Sequence, residues 1–124
     1  MKSCLIVDDS AVIRKIIRQN LESFGITCNE AENGAVAKSF CETETPDIVM
    51  LDWNMPVMNG LEFLQQLRAM TNGDKPVVIF CTTENDMDHI HKALAAGAND
   101  FIMKPFDRDI IHGKLEQNNL LPAE

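Results

Sequence analysis

Strict alternation of short apolar runs with helical patterns predicts an α/β protein. The expected architecture is (βα)5, a doubly wound, parallel five-stranded sheet with helices on both faces. Three observations lead there. Four apolar runs are continuous rather than alternating, as in strands covered on both sides. The segments between them repeat apolar residues at three- and four-residue spacing. Each run is also followed by such a segment, so the strands are joined by right-handed crossovers.

The elements follow in order. Cys4–Val7 is the first strand. Ser10 is a plausible cap for a helix carrying Val12, Ile13, Ile16, Ile17, Leu21 and Phe24, and Gly25 is its stop. Ile26–Ala31 is a weaker run whose mixed polarity suggests an edge strand, and Val36, Ala37 and Phe40 mark a short second helix. Ile48–Leu51 is the third strand, and Asn59-Gly60 turns the chain into a helix with Leu61, Leu64 and Leu67. Val77–Cys81 precedes a helix with Ile90 and Leu94 that ends at Gly97. Phe101–Met103 precedes the last, with Ile110, Ile111 and Leu115. Pro46, Pro56, Pro76, Pro105 and Pro122 all fall between elements. With no repeat, linker or low-complexity tract, residues 1–124 read as one domain without an output domain.

A chain of 124 residues holds one compact domain with a core, and not comfortably two. Its 19 acidic and 11 basic residues, a net charge of -8, argue against nucleic-acid binding, which needs clustered Lys and Arg. Without an apolar run of about 18 residues it is not a membrane protein. The start MKSCLIVDD runs straight into acids and is not a signal peptide, so the cytoplasm is expected. Cys4, Cys28, Cys41 and Cys81 are scattered without a C-x-x-C pair and read as reduced, mostly buried thiols.

In a doubly wound sheet the C-terminal ends of the strands share one edge, where ligands bind. Here that edge receives Asp8 and Asp9, then Asp52, then Thr82 and Thr83, then Lys104. Crowded carboxylates repel one another, which raises their pKa values or destabilises the domain. A hard divalent cation resolves the repulsion, and Mg²⁺ favours a few carboxylates plus water and phosphate oxygens. With the charge of Lys104 and the hydroxyl of Thr82, such a site would hold a phosphoryl group. An aspartate can itself be the nucleophile, forming an acyl phosphate. Asp52, on the central strand of the site, is therefore assigned as phosphoacceptor. Asp8 and Asp9 are assigned as metal ligands beside it, with the backbone carbonyl of Asn54 as a further one.

VDDS (7–10), LDWNMP (51–56), MNG (58–60), TTE (82–84), AGAND (96–100) and KPF (104–106) carry a family resemblance. From Cys4 to about Leu115 the chain resembles the receiver domain of bacterial two-component response regulators, most closely the single-domain chemotaxis regulators. The joint spacing of Asp8/Asp9, Asp52, Thr82 and Lys104 is highly specific. The resemblance implies a flavodoxin-like fold with strand order 2-1-3-4-5. It implies Mg²⁺-dependent phosphoryl transfer to Asp52 from a histidine kinase or histidine phosphotransfer protein. It also implies a cis peptide before Pro105 and self-catalysed hydrolysis influenced by Asn54 and Glu84. The chain would catalyse only its own phosphorylation and dephosphorylation. In the family a threonine and an aromatic on the last strand relay the signal, here Thr82 and Phe101. The chain has no tyrosine, so Phe101 can respond only through packing and is expected to lean inward.

Taken singly these residues are unremarkable. Asp8 and Asp9 alone would be helix-capping acids, Thr82 a strand-end residue, Lys104 a solvated one. His89, His91 and His112 read as surface residues, and Arg14, Lys15 and Arg18 as a basic strip on the first helix, by default a solvated face and otherwise a docking surface for a kinase or phosphotransfer domain. A phosphatase with an aspartyl nucleophile would want an acid where Asn54 stands. A flavin module would want Gly, Ser or Thr where Asp8 and Asp9 repel phosphate. A phosphorylation-driven protein-interaction switch is the preferred reading; a phosphate sink or relay carrier is the alternative. A monomer is expected. The resemblance implies an effector such as the flagellar motor switch, although Asp86-Met87-Asp88 opens the fourth helix with acids, a departure from the basic residues of the enteric chemotaxis regulator.

Overall fold

The computed structural model describes residues 2–53, 55–82 and 87–121. The element order is β1 (Ser3–Val7), α1 (Ala11–Ser23), β2 (Thr27–Ala31), α2 (Gly34–Thr43), β3 (Ile48–Asp52) and α3 (Gly60–Ala69). It continues with β4 (Val77–Thr82), α4 (Met87–Ala95), β5 (Asp100–Met103) and α5 (Arg108–Gln117). All strands pair in parallel in the order β2-β1-β3-β4-β5. Both the class and the strand order match expectation.

Because side chains alternate along a strand, each apolar run feeds two cores. Cys4, Ile6, Ile48, Met50, Ile79, Cys81 and Ile102 pack with Ile17 and Leu21 of α1 and Ile111 and Leu115 of α5. Leu5, Val7, Val49, Leu51, Val78 and Phe80 pack with Ala37 of α2, Phe63, Leu64 and Leu67 of α3, and Ala93 of α4. The two clusters lie on opposite sheet faces, which is why the runs show no polar alternation. β2 is an edge strand in which only Cys28 and Ala31 are buried, which accounts for its mixed polarity.

Caps fall where the sequence places them. The Ser10 hydroxyl accepts from the Ile13 N–H at 3.3 Å, and Gly25, just beyond α1, takes φ 84°, a conformation easiest for glycine. Asn59 and Glu62 form a capping box at α3. The face of α1 is wider than its core contact. Val12 and Ile16 are 68% and 45% exposed, and Ile16 borders a groove of about 620 Å³ lined also by Ile13, Ile17, Lys104, Pro105 and Phe106.

Val57, in the connection from β3 to α3, has φ 70° and is 82% exposed. A β-branched residue is strained there, because its Cβ crowds the following carbonyl at about 1–2 kcal/mol. Val57→Asn is expected to stabilise the domain by about 1 kcal/mol, read as a higher urea midpoint at unchanged slope. An unchanged midpoint would mean the backbone there carries no such strain.

Candidate functional site

The C-terminal edge of the sheet collects the acids. Asp8 follows β1, Asp52 is the last residue of β3 and Thr82 the last of β4; Lys104 follows β5. Among the described residues the buried polar side chains are Asp8, Asp52 and Thr82, all at this edge. Polar burial carries a desolvation cost, so its confinement to one spot marks the site. Strand pairing sets Asp52 beside Cys81 and Thr82 beside Met103, and the Lys104 N–H donates to the Thr82 carbonyl at 2.7 Å.

Lys104 bridges two acids. Its Nζ lies 3.0 Å from Asp8 Oδ2 and 3.3 Å from Asp52 Oδ1. Asp8 Oδ1 accepts from the Ser10 N–H at 2.9 Å, an Asx turn that leads into the Ser10 cap of α1. One carboxylate oxygen each from Asp8, Asp9 and Asp52 lie within 4.8 Å of one another. An all-oxygen set this compact approaches the span of about 4.2 Å between opposite ligands of a small octahedral cation. The donor chemistry fits a hard divalent ion. Thiols contribute nothing: burial foremost pushes Cys81 up to about 12, so it stays protonated.

Burial first, and then the charge of Asp8, raises the Asp52 carboxyl above the ordinary aspartate range; Lys104 offsets this only partly. Burial pulls Lys104 down, but its hydrogen bond to Asp8 and the charges of Asp52 and Asp8 outweigh that, and its net shift is upward. A carboxyl with a raised folded pKa holds its proton more tightly in the native state than in the unfolded one. Stability therefore falls as pH rises from the ordinary carboxylate range through the raised folded value. In metal-free buffer Asp52→Asn should melt above wild type at pH 7, the advantage disappearing under acid conditions. A variant melting lower at pH 7 would mean that the Lys104 ion pair outweighs the burial of Asp52.

Of the residues singled out from the sequence, Asp8, Asp9, Asp52 and Lys104 converge here, with Thr82 at the same edge. Asn54, Thr83, Glu84 and Asn85 lie outside the described residues. Phe101, on β5, is half-buried and packs against the second core cluster. Two expectations need correction. The basic strip on α1 is largely spent within the domain. Arg14 pairs with Glu30 at 3.0 Å and donates to the Asp8 carbonyl at 2.6 Å, while Arg18 pairs with Glu30 and Glu22. Charge on α1 is thereby satisfied by β2, a long-range contact that helical spacing does not reveal. Nor are all three histidines simple surface residues. His89 stacks on Trp53 with centroids 4.4 Å apart, and His112 meets the edge of Phe24 at 5.1 Å.

Gly60 was legible only as a turn residue, yet it supports the site directly. Its N–H donates to the Trp53 carbonyl at 3.0 Å, and a Cβ on it would overlap the Asp52 carbonyl oxygen. α3 can start this close to the end of β3 only with glycine there. The one hint in sequence was its place at a helix start eight residues after the acid.

The response regulator receiver domain family matches residues 4–116, and the chain belongs to it. It is thus a receiver of two-component signalling. Among curated proteins it is similar to the chemotaxis protein CheY homolog of Campylobacter jejuni, with 39% identity over 114 residues, 90% of this chain and 88% of that one. In structure it is similar to chemotaxis protein CheY4 of Vibrio cholerae, with a TM-score of 0.90 and 29% identity over 94% of this chain and 98% of that one. It also resembles the receiver domain of a sensor histidine kinase from Pseudomonas aeruginosa that has a magnesium ion coordinated in its active-site cleft. That match has a TM-score of 0.86 and 28% identity over 94% and 95% of the two chains. The cis peptide at Lys104-Pro105 agrees with the resemblance. Among the described residues no helix is long and apolar enough to cross a membrane.

Proposed function

We propose that this chain is a phosphorylation-driven switch that accepts a phosphoryl group on Asp52 from a phosphohistidine. The observation that carries this reading is the carboxylate of Asp52 set 3.3 Å from the Lys104 ammonium inside the acid cluster. An Asp52 oxygen attacks phosphorus in line, the phosphorus–nitrogen bond breaks, and the imidazole leaves with the bond electrons. Lys104 neutralises charge on the phosphoryl oxygens, and the Thr82 hydroxyl donates to one of them. Mg²⁺, held by Asp8, Asp9 and Asp52, supplies the remaining charge neutralisation when bound. The magnesium ion in the related Pseudomonas receiver supports that choice of metal. In the family's pattern Asn54 and Glu84 tune hydrolysis of the acyl phosphate, so the chain acts catalytically only on itself.

The donor is a histidine kinase or histidine phosphotransfer protein. Because Arg14 and Arg18 are paired within the domain, docking along α1 relies on apolar contact, and the groove between α1 and Pro105-Phe106 opens beside Lys104. Output is by protein contact, a chemotaxis effector such as the flagellar motor switch being one candidate in view of the CheY relatives. With Mg²⁺ and acetyl phosphate, intact-mass measurement should show one added phosphoryl group in wild type and none in Asp52→Asn. Undiminished labelling of the variant would sink the assignment.

A further inference from the structure

Phe101 borders a small apolar space. Phe101 shares it with Trp53, Phe80, Thr82, His89 and Ala93. Its volume is about 10 Å³, at most one water and far too little for a side chain. What fills the neighbourhood is an aromatic stack: the His89 imidazole of α4 lies over the Trp53 indole at 4.4 Å and 24°, and Trp53 leans on Phe80 at 5.4 Å. Phe101 also meets Lys114, whose Nζ is 5.1 Å from the ring centroid and is anchored by Asp100 at 3.0 Å.

We infer that His89 sets the resting position of Phe101: stacked on Trp53, its imidazole closes the space into which the phenyl ring would otherwise sink. A partly buried ring beside an apolar cavity gains by moving further inward, since burial of apolar area is favourable. Close packing forbids the move while no room exists. His89 and Phe101 therefore compete for one volume, and the contact with Lys114 holds the ring that loses. His89 belongs to α4 and Trp53 directly follows Asp52, so the competition ties three elements together. The placement of the ring stands independently of the proposed function. Its consequence, that His89 fixes how far the switch starts from its activated form, rests on that reading.

The test uses the unmodified full chain carrying fluorine-labelled phenylalanine, with the Phe101 resonance assigned by Phe101→Leu. Thermal unfolding checks that His89→Ala and His89→Phe fold; neither residue breaks a helix. In His89→Ala the solvent-isotope shift of the Phe101 signal should fall below about half its wild-type value, because apolar burial now has room. In His89→Phe, which keeps a ring stacked on Trp53, it should stay near wild type. Beryllofluoride with Mg²⁺, added afterwards, separates the two readings. If wild type fails to bind it, the Asp52 assignment fails while the ring measurement still stands. Equal Phe101 exposure in wild type and His89→Ala, or equal burial in both variants, overturns the inference.

Discussion

Lys104→Met is expected to slow phosphoryl acceptance from acetyl phosphate by about 10²–10³-fold, the usual cost of losing one preorganised group that stabilises transition-state charge. The ammonium sits 3.0 Å from Asp8 and 3.3 Å from Asp52 before any donor arrives, so it need not reorganise during transfer. Its removal also leaves two buried carboxylates without their counter-charge, so the metal-free variant should melt below wild type. Added Mg²⁺ should narrow that gap by binding only the native state. Lys104→Arg should not restore the rate, because a planar fork cannot take the place of a compact ammonium between two strand ends. The initial rate of mass gain decides the matter. A Lys104→Met rate within about threefold of wild type, well short of that cost, would remove Lys104 from the chemistry.

Arg68→Ala should lower the unfolding free energy by about 2–4 kcal/mol, the sum of lost charge-assisted hydrogen bonds and newly unsatisfied carbonyls. Arg68 sits near the C-terminus of α3 and ties three segments together. Its guanidinium donates to the Gly97 carbonyl at 3.0 and 2.7 Å, to the Gly73 and Pro76 carbonyls at 2.8 Å each, and to Asn99 Oδ1 at 3.0 Å. That same Asn99 oxygen accepts from the Val78 N–H at 2.9 Å, so the network reaches the start of β4. Such a loss is a large fraction of a typical domain's stability of about 5–15 kcal/mol. Arg68→Lys should recover little, because one ammonium cannot reach carbonyls arrayed around a planar fork. The network lies at the sheet edge opposite Asp52, so labelling of the folded variant should proceed at the wild-type rate. A urea midpoint equal to that of wild type would show that water replaces the guanidinium at no cost.

Much of this molecule was legible in one dimension because its sheet is parallel and covered on both faces. Each buried strand then needs an unbroken apolar run, and each crossover needs an amphipathic helix, so the element order could be read directly from spacing. The acid edge followed from the same logic, since residues that end parallel strands share one side. Ile48 to Leu51 led to Asp52 for that reason, and Lys104 and Thr82 likewise. The strand order came from the family's motifs, because alternation alone permits several windings.

What sequence could not supply were contacts between residues far apart in the chain that no period connects. The pairing of Arg14 and Arg18 with Glu30 crosses from α1 to β2 and commits two of the three basic residues of the strip to ion pairs within the domain. The stack of His89 on Trp53 joins α4 to the end of β3, and nothing in either segment alone announces it. The five donor contacts of Arg68 depend on where Gly73, Pro76, Gly97 and Asn99 are brought by folding. The need for glycine at position 60 is a matter of how closely α3 approaches the Asp52 carbonyl. Local sequence determined the elements and the acids at their ends, because helix and strand periods and chain direction are local properties. Tertiary structure alone decided which charges are spent, which rings touch and which side chains have room, because those depend on distances that only the packed chain defines.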